Sequence, residues 1–362
     1  LNDDHVNWNP LWSPDGQFLY FVSDRSGSMN LWRVPIEEST GRTRGEPQPI
    51  TRSSQSLGLL SLSGDGRQIV YATDEEKKNL ERRPLDPVSH RVTGETTAVT
   101  QGSRVLRSAS VSPDGKWVVF DISTPQEDLY LVRSDGTGEV RQLTTDPAKD
   151  RIPQWLADGR HIVFYSNRGS STYGLWTIRM DGSELQRLPY DFKDGLFNPL
   201  AAPDGQRMVA TPRGLNAALI DPSLPPRERL QLLPAPAEGM VFAPNSWSSD
   251  GVYLAGSLEQ ARGGPSITGV VVYSFATRRY ERLTATGSIP VWLHDGRTLL
   301  YLLDGKVFEC DLRSKGSRLV LAPPPNSIFT SLVVGPDDRE LYAVRATEEG
   351  DIWMLTLPAD ER

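Results

Sequence analysis

The 362-residue sequence predicts an all-β fold of repeated four-stranded sheets, and three observations carry that prediction. An aspartate-centred turn returns eight times, at Asp15, Asp65, Asp114, Asp158, Asp204, Asp250, Asp295 and Asp337, with spacings of 50, 49, 44, 46, 46, 45 and 42 residues. A β-branched or aromatic run follows the turn, as in Phe18-Leu19-Tyr20-Phe21-Val22 and His161-Ile162-Val163-Phe164-Tyr165. No segment combines helical periodicity with caps. Such a period over nearly the whole chain marks a repeat architecture, and four short antiparallel strands per repeat mark a β-propeller.

Each element of the repeat has a physical reason. In Trp12-Ser13-Pro14-Asp15-Gly16 and Val111-Ser112-Pro113-Asp114-Gly115, proline presets φ, aspartate bonds its own backbone and glycine suits the last turn position. Three residues ahead of the aspartate stands a bulky side chain (Trp12, Leu62, Val111, Trp155, Trp247, Trp292, Val334), small only at Ala201. These residues are expected to fill the layers between sheets. A polar loop leads to a third strand, as in Asn30-Leu31-Trp32, Asp128-Leu129-Tyr130, Gly174-Leu175-Trp176 and Asp351-Ile352-Trp353. Hairpin signals such as Asp135-Gly136-Thr137-Gly138 then open a fourth strand, which ends in a pair such as Ile50-Thr51, Val99-Thr100, Leu143-Thr144 or Leu283-Thr284.

Packed face to face in a ring, such sheets bury surfaces that one sheet alone exposes. The count gives eight blades in a single domain over 1–362: 7–51, 57–100, 105–144, 151–189, 196–233, 241–284, 288–322 and 327–357. The blades around Asp204 and Asp337 are degenerate, so seven is the alternative. Only Pro358-Ala359-Asp360-Glu361-Arg362 follow the last third strand, so the last blade is expected to lack its outer strand or to borrow it from residues upstream of Leu1. With no initiator Met, the chain reads as the C-terminal part of a longer protein.

Composition narrows the task. A formal charge of −7 disfavours a nucleic-acid partner, and no apolar run is long enough to insert this segment in a membrane. The single Cys310 rules out an internal disulfide framework and is expected to be a packed thiol. Oligomeric state, compartment and ligand identity are not readable here.

The pattern resembles the WD40-like PD40 repeats of the TolB propeller family. The resemblance rests on Trp12-Ser13-Pro14-Asp15-Gly16, the strand end Phe21-Val22-Ser23-Asp24-Arg25, Asn30-Leu31-Trp32 and the Leu143-Thr144 ending. The style, including Thr40-Gly41-Arg42, is also similar to propellers appended to bacterial serine/threonine kinases or winged-helix regulators. That similarity implies a sensor or interaction domain of a signalling protein, on the periplasmic side if joined to a membrane-spanning kinase and otherwise cytoplasmic.

Catalytic signatures are missing. His90-Arg91-Val92 and Asp191-Phe192-Lys193 fail as kinase loops, and Gly264-Pro265-Ser266-Ile267-Thr268-Gly269 has one residue too many for a nucleophile elbow. Of His5, His90, His161 and His294, neither His161 nor His294 maps to an inner strand, and no Asp-Gly turn has the density of a calcium loop, so neither a metal nor another cofactor is expected. Recognition is expected at the loops around one channel mouth, at Trp8, Arg25, Arg107, Arg151, Arg168 and Arg213. Arginines on such a rim suit the carboxylate or phosphate of a peptide, protein or small molecule, and Trp8 would be an aromatic anchor. Alternatives are a hydrolase or lyase working in the channel without a recognisable motif, or a structural scaffold.

Overall fold

The computed structural model describes residues 3, 5–26, 29–52, 56–123, 126–261 and 267–357. Among them there are strands and turns and no α-helix. The repeated turn is tied by its serine as well as its aspartate. Ser13 Oγ donates to Asp15 Oδ1 (2.6 Å), which also accepts the Gln17 N–H (3.0 Å), and the Phe18 N–H donates back to Ser13 Oγ (2.9 Å). Gly16 sits at φ 69°, where a side chain would be strained. The same ties recur at Ser63–Asp65, Ser112–Asp114 and Ser248–Asp250.

The chain forms two compact units, Leu1–Glu76 with Glu348–Arg362, and Lys77–Thr347. In the second unit, repeats three to seven each make one antiparallel four-stranded sheet in chain order. That of repeat three runs Leu106–Val111, Trp117–Ile122, Leu129–Arg133 and Arg141–Gln142. A sixth sheet is stitched from both ends of the unit: Ser327–Val334, the first half of Glu340–Thr356, the second half of Gln68–Pro84, and Thr97–Ala98. Arg345 to Glu81 (3.1 Å) and Arg82 to Glu340 (3.7 Å) bridge the stitch.

The inner strands of this unit are Leu106–Val111, Asp150–Trp155, Leu196–Ala201, Met240–Trp247, Ser288–Trp292 and Ser327–Val334. Each neighbours the next, and the last neighbours the first. The closing layer buries Leu106, Phe120 and Tyr130 against Leu80, Tyr342 and Val344. The unit is therefore a six-bladed propeller. Between its sheets Trp155, Trp247 and Trp292 are buried, as expected.

The other unit has two sheets. Repeat one supplies Asn7–Trp12, Phe18–Ser23 and Asn30–Glu37, edged by Arg42–Thr43 and Gln48–Pro49. Repeat two supplies Ser56–Leu62 and the first half of Gln68–Pro84, beside the second half of Glu340–Thr356. They share a core of Tyr20, Val22, Leu31, Leu57, Ile69 and Leu357. With only two sheets, Trp12 stays half-exposed rather than filling a layer.

The sequence count gives eight blades, or seven, in a single domain; within Lys77–Thr347 six inner strands close on one another, and repeats one and two supply sheets of the other unit. The cause is local. In repeats two and eight the second and third strands are not separated by a loop but run on as single strands of 17 residues. The sequence 74–78 is Asp-Glu-Glu-Lys-Lys, with no glycine, proline or asparagine to turn the chain.

Candidate functional site

The inner strands of the six-bladed unit all slip register against their second strands, near the start in five of them and between Pro244 and Ser246 in Met240–Trp247. At such a bulge an extra residue leaves the ladder. Ile152, Asn198 and Ile289 adopt φ near +50° there, each followed by proline. Asparagine tolerates that conformation, whereas β-branched isoleucine is strained in it. The prolines bring no N–H to this level, so carbonyls dominate its backbone polarity.

The bulges border a cavity of about 470 Å³ lined by Arg107, Ser108, Gln154, Asn198, Asn245 and Glu259, among others. A second cavity of about 520 Å³ shares Ala109, Gln154, Leu200, Asn245, Val291 and Leu332 with it, so the two are halves of one channel. The lining is mostly uncharged and mixes polar with apolar side chains, with Arg107 and Glu259 the charged residues of the first cavity.

Glu127 organises the charge beside that mouth. Its carboxylate accepts from Arg107 (2.8 Å) and Arg151 (2.7 Å), with Lys149 at 3.4 Å. Burial alone would raise the Glu127 carboxyl, but the Arg151 hydrogen bond and the surrounding cations bring it below its ordinary value. The same bond raises Arg151. Arg151 also lies over the Tyr173 ring, 5.5 Å from its centroid. Three cations share one anion here, leaving an excess of positive charge.

A further group lies behind Ser108, which lines the cavity. Asp121, buried in the second strand of repeat three, accepts from the Ser108 N–H (3.0 Å) and hydroxyl (2.5 Å). Its other oxygen, Oδ2, has no partner among the described residues. Burial pushes its carboxyl up to about 6, against the Ser108 bonds that pull it down.

Of the rim residues expected from sequence, Arg107 lines the cavity and Arg151 joins it at Glu127. Arg168 is mostly buried and held by Asp150 (2.7 Å) and Asp146 (2.6 Å). Arg213 stacks over Phe197 at 5.2 Å. Trp8 and Arg25 belong to the two-sheet unit, where Trp8 is half-exposed and Arg25 binds Asn7, Ser23 and Asp3. Sequence reading passed over Asp121, although a carboxylate inside Val118-Val119-Phe120-Asp121-Ile122 is a signal of a buried polar role.

The histidines have carboxylate neighbours: His5 with Asp24, His90 with Glu309, His161 with Asp158 and Glu184, and His294 with Asp338. Among the described residues no three His, Cys, Asp or Glu side chains gather as a metal site. Ser249, His294 and Asp338 superficially resemble a catalytic triad. The Ser249 hydroxyl, however, donates to the His294 main-chain carbonyl (3.0 Å), not to its ring. Gly264, Pro265 and Ser266 lie outside the described residues. Cys310 is fully buried in a hydrophobic cluster, and burial raises its thiol.

Residues 46–225 match the PD40 family model, described as the TolB beta propeller domain. Among curated proteins the chain is 31% identical over 75 residues to the "Uncharacterized peptidase YuxL" of Bacillus subtilis strain 168, across 21% of this chain and 11% of that protein's length. Among solved structures, a chain from a nidogen/laminin complex aligns with a TM-score of 0.52 at 15% identity, over 68% of this chain and 94% of its own. TolB from Acinetobacter baumannii aligns with a TM-score of 0.49 at 12% identity, over 90% and 79%. The repeat, the ring of sheets and the family-model match over residues 46–225 together support a PD40, TolB-like propeller family for this chain.

Proposed function

We propose that this chain is a non-catalytic, ligand-binding propeller that serves as the sensor or interaction domain of a bacterial signalling protein. Its ligand is a peptide, a protein loop or a small molecule that presents a carboxylate at the channel mouth. The observation that supports this reading is the 470 Å³ cavity bordered by Arg107, beside three cations gathered on Glu127. A largely uncharged channel of mixed polar and apolar lining suits a peptide's amides and side chains, while the surplus cation fixes the end of the ligand.

The test is selection of displayed heptapeptides on the intact chain, followed by calorimetric titration of the enriched sequences. The reading expects carboxylate-bearing peptides that bind roughly tenfold more weakly to Arg107→Glu. It fails if no peptide is enriched, or if enriched peptides ignore that charge reversal.

A hydrolase or lyase is the second reading, favoured by Ser108, which lines the cavity with Asp121 bonded behind it, and by the peptidase name of the Bacillus relative. It expects turnover of a selected peptide that Ser108→Ala abolishes.

A further inference from the structure

Among the described residues, seven sheets have the edge of their third strand covered by a short fourth strand, through pairs such as Trp32 with Pro49, Tyr130 with Gln142, Trp176 with Arg187 and Val271 with Arg282. The cover is sealed by a recurrent device. The hydroxyls of Thr51, Thr100, Thr144 and Thr284 accept the N–H of Leu31, Leu80, Leu129 and Val270 at 2.8–3.0 Å. The apolar residue before each threonine donates its own N–H to the carbonyl of that same third-strand residue. In three cases the threonine hydroxyl donates onward, to Asn30, Asn79 or Asp128.

One third strand has all the receiving chemistry and no cover among the described residues. Residues 348–356 of Glu340–Thr356 form the last strand of the sheet of repeat two. Thr73, eight residues after the turn aspartate, donates to the Asp351 carbonyl, just as Ser23 at the same place in repeat one pairs with Asn30. Asp351-Ile352-Trp353 therefore stands where Asn30-Leu31-Trp32 and Asp128-Leu129-Tyr130 stand. Leu31 and Leu129 are 0% exposed under their fourth strands, whereas Ile352 is 81%, Trp353 49% and Met354 63% exposed.

We propose that the edge of residues 351–356 is a docking site for an extended, basic strand ending in an apolar–threonine pair, supplied by a partner from outside this chain. The threonine hydroxyl accepts the Ile352 N–H and donates to Asp351, and the apolar residue before it covers Ile352. The preference for basic residues follows from charge. Residues 348–356 carry three acidic side chains and no basic one, and the sister fourth strands supply Arg141, Arg187, Arg282 and Arg318. Gln142 to Asp128 (2.9 Å) and Arg318 to Glu309 (2.8 Å) show fourth-strand side chains bonding third-strand carboxylates. A second copy of the chain is a poor donor, because these apolar–threonine pairs are engaged in their own sheets. Strand addition of this kind draws affinity from main-chain bonds and selectivity from alternate side chains.

The test uses the intact chain and a capped hexapeptide copying Val140-Arg141-Gln142-Leu143-Thr144-Thr145. Amide hydrogen exchange over residues 351–355 is expected to slow about tenfold at millimolar peptide. A Thr144→Val peptide should bind several-fold more weakly, a scrambled one should give no protection, and Asp351→Ala protein should lose the threonine preference. The proposal is overturned if exchange does not change, if the scrambled peptide protects equally, or if protection appears without peptide as protein concentration rises. None of these readouts involves the channel mouth, so the two proposals stand or fall separately.

Discussion

Arg151 of the fourth repeat bonds Glu127 of the third, in the same carboxylate that holds Arg107. One buried-edge anion therefore joins two blades and sets the charge of the mouth at once. Glu127→Ala should lower the denaturant-unfolding stability by about 2 kcal/mol, because it leaves partly buried arginines unpaired. Arg107→Ala, which removes a more exposed partner, should cost less than about 1 kcal/mol.

Asp121 makes stability depend on pH in the direction opposite to an ordinary carboxylate. Its folded value of about 6 lies above the unfolded one near 3.8, so the native state holds the proton more tightly. The contribution is fully present below pH 4 and is lost as pH rises through 6, at most about 3 kcal/mol by linkage. Melting across pH 4–7 should show a steeper loss in the wild type than in Asp121→Asn. Parallel profiles would place the proton elsewhere.

The threonine seal predicts that Thr144→Val destabilises by about 1–2 kcal/mol, since a valine of equal size leaves the Leu129 N–H without its hydroxyl partner and takes one of two donors from Asp128. Thr145→Val, one residue beyond the seal, is the matched control and should stay within about 0.5 kcal/mol of wild type.

Gly256→Ala should be far more damaging than its size suggests. A Cβ there would sit 2.9 Å from the Phe242 ring and closer still to the Ala243 carbonyl. Both are held by the strand pairing of repeat six, so overpacking should cost about 3 kcal/mol or prevent folding. A soluble variant with unchanged melting would show that the two strands can separate cheaply.

The turns were legible because their chemistry is local: serine, aspartate and glycine satisfy one another within a few residues, so the spacing of Asp-Gly reports the repeat directly. Ring closure was not. It depends on Gln68–Pro84 and Glu340–Thr356 running straight through positions where a loop was expected, and the sequence marks this only by what residues 74–78 lack. The site was half legible for a related reason. Loop register placed Arg107 and Arg151 near the mouth, but nothing in the sequence says that Asp146 and Asp150 claim Arg168, because that pairing is set by how the first and second strands of one blade fold together.

Closure of the ring is tested most directly by nuclear Overhauser contacts from Tyr342 and Val344 in the intact, selectively labelled chain. Contacts to Leu106, Phe120 and Tyr130 are expected, since these residues share the layer between the eighth and third repeats. Contacts from Tyr342 to Tyr20, Val22 or Leu31 of the first repeat, with none to Phe120, would mean that the repeats close in sequence order and would contradict the six-bladed ring.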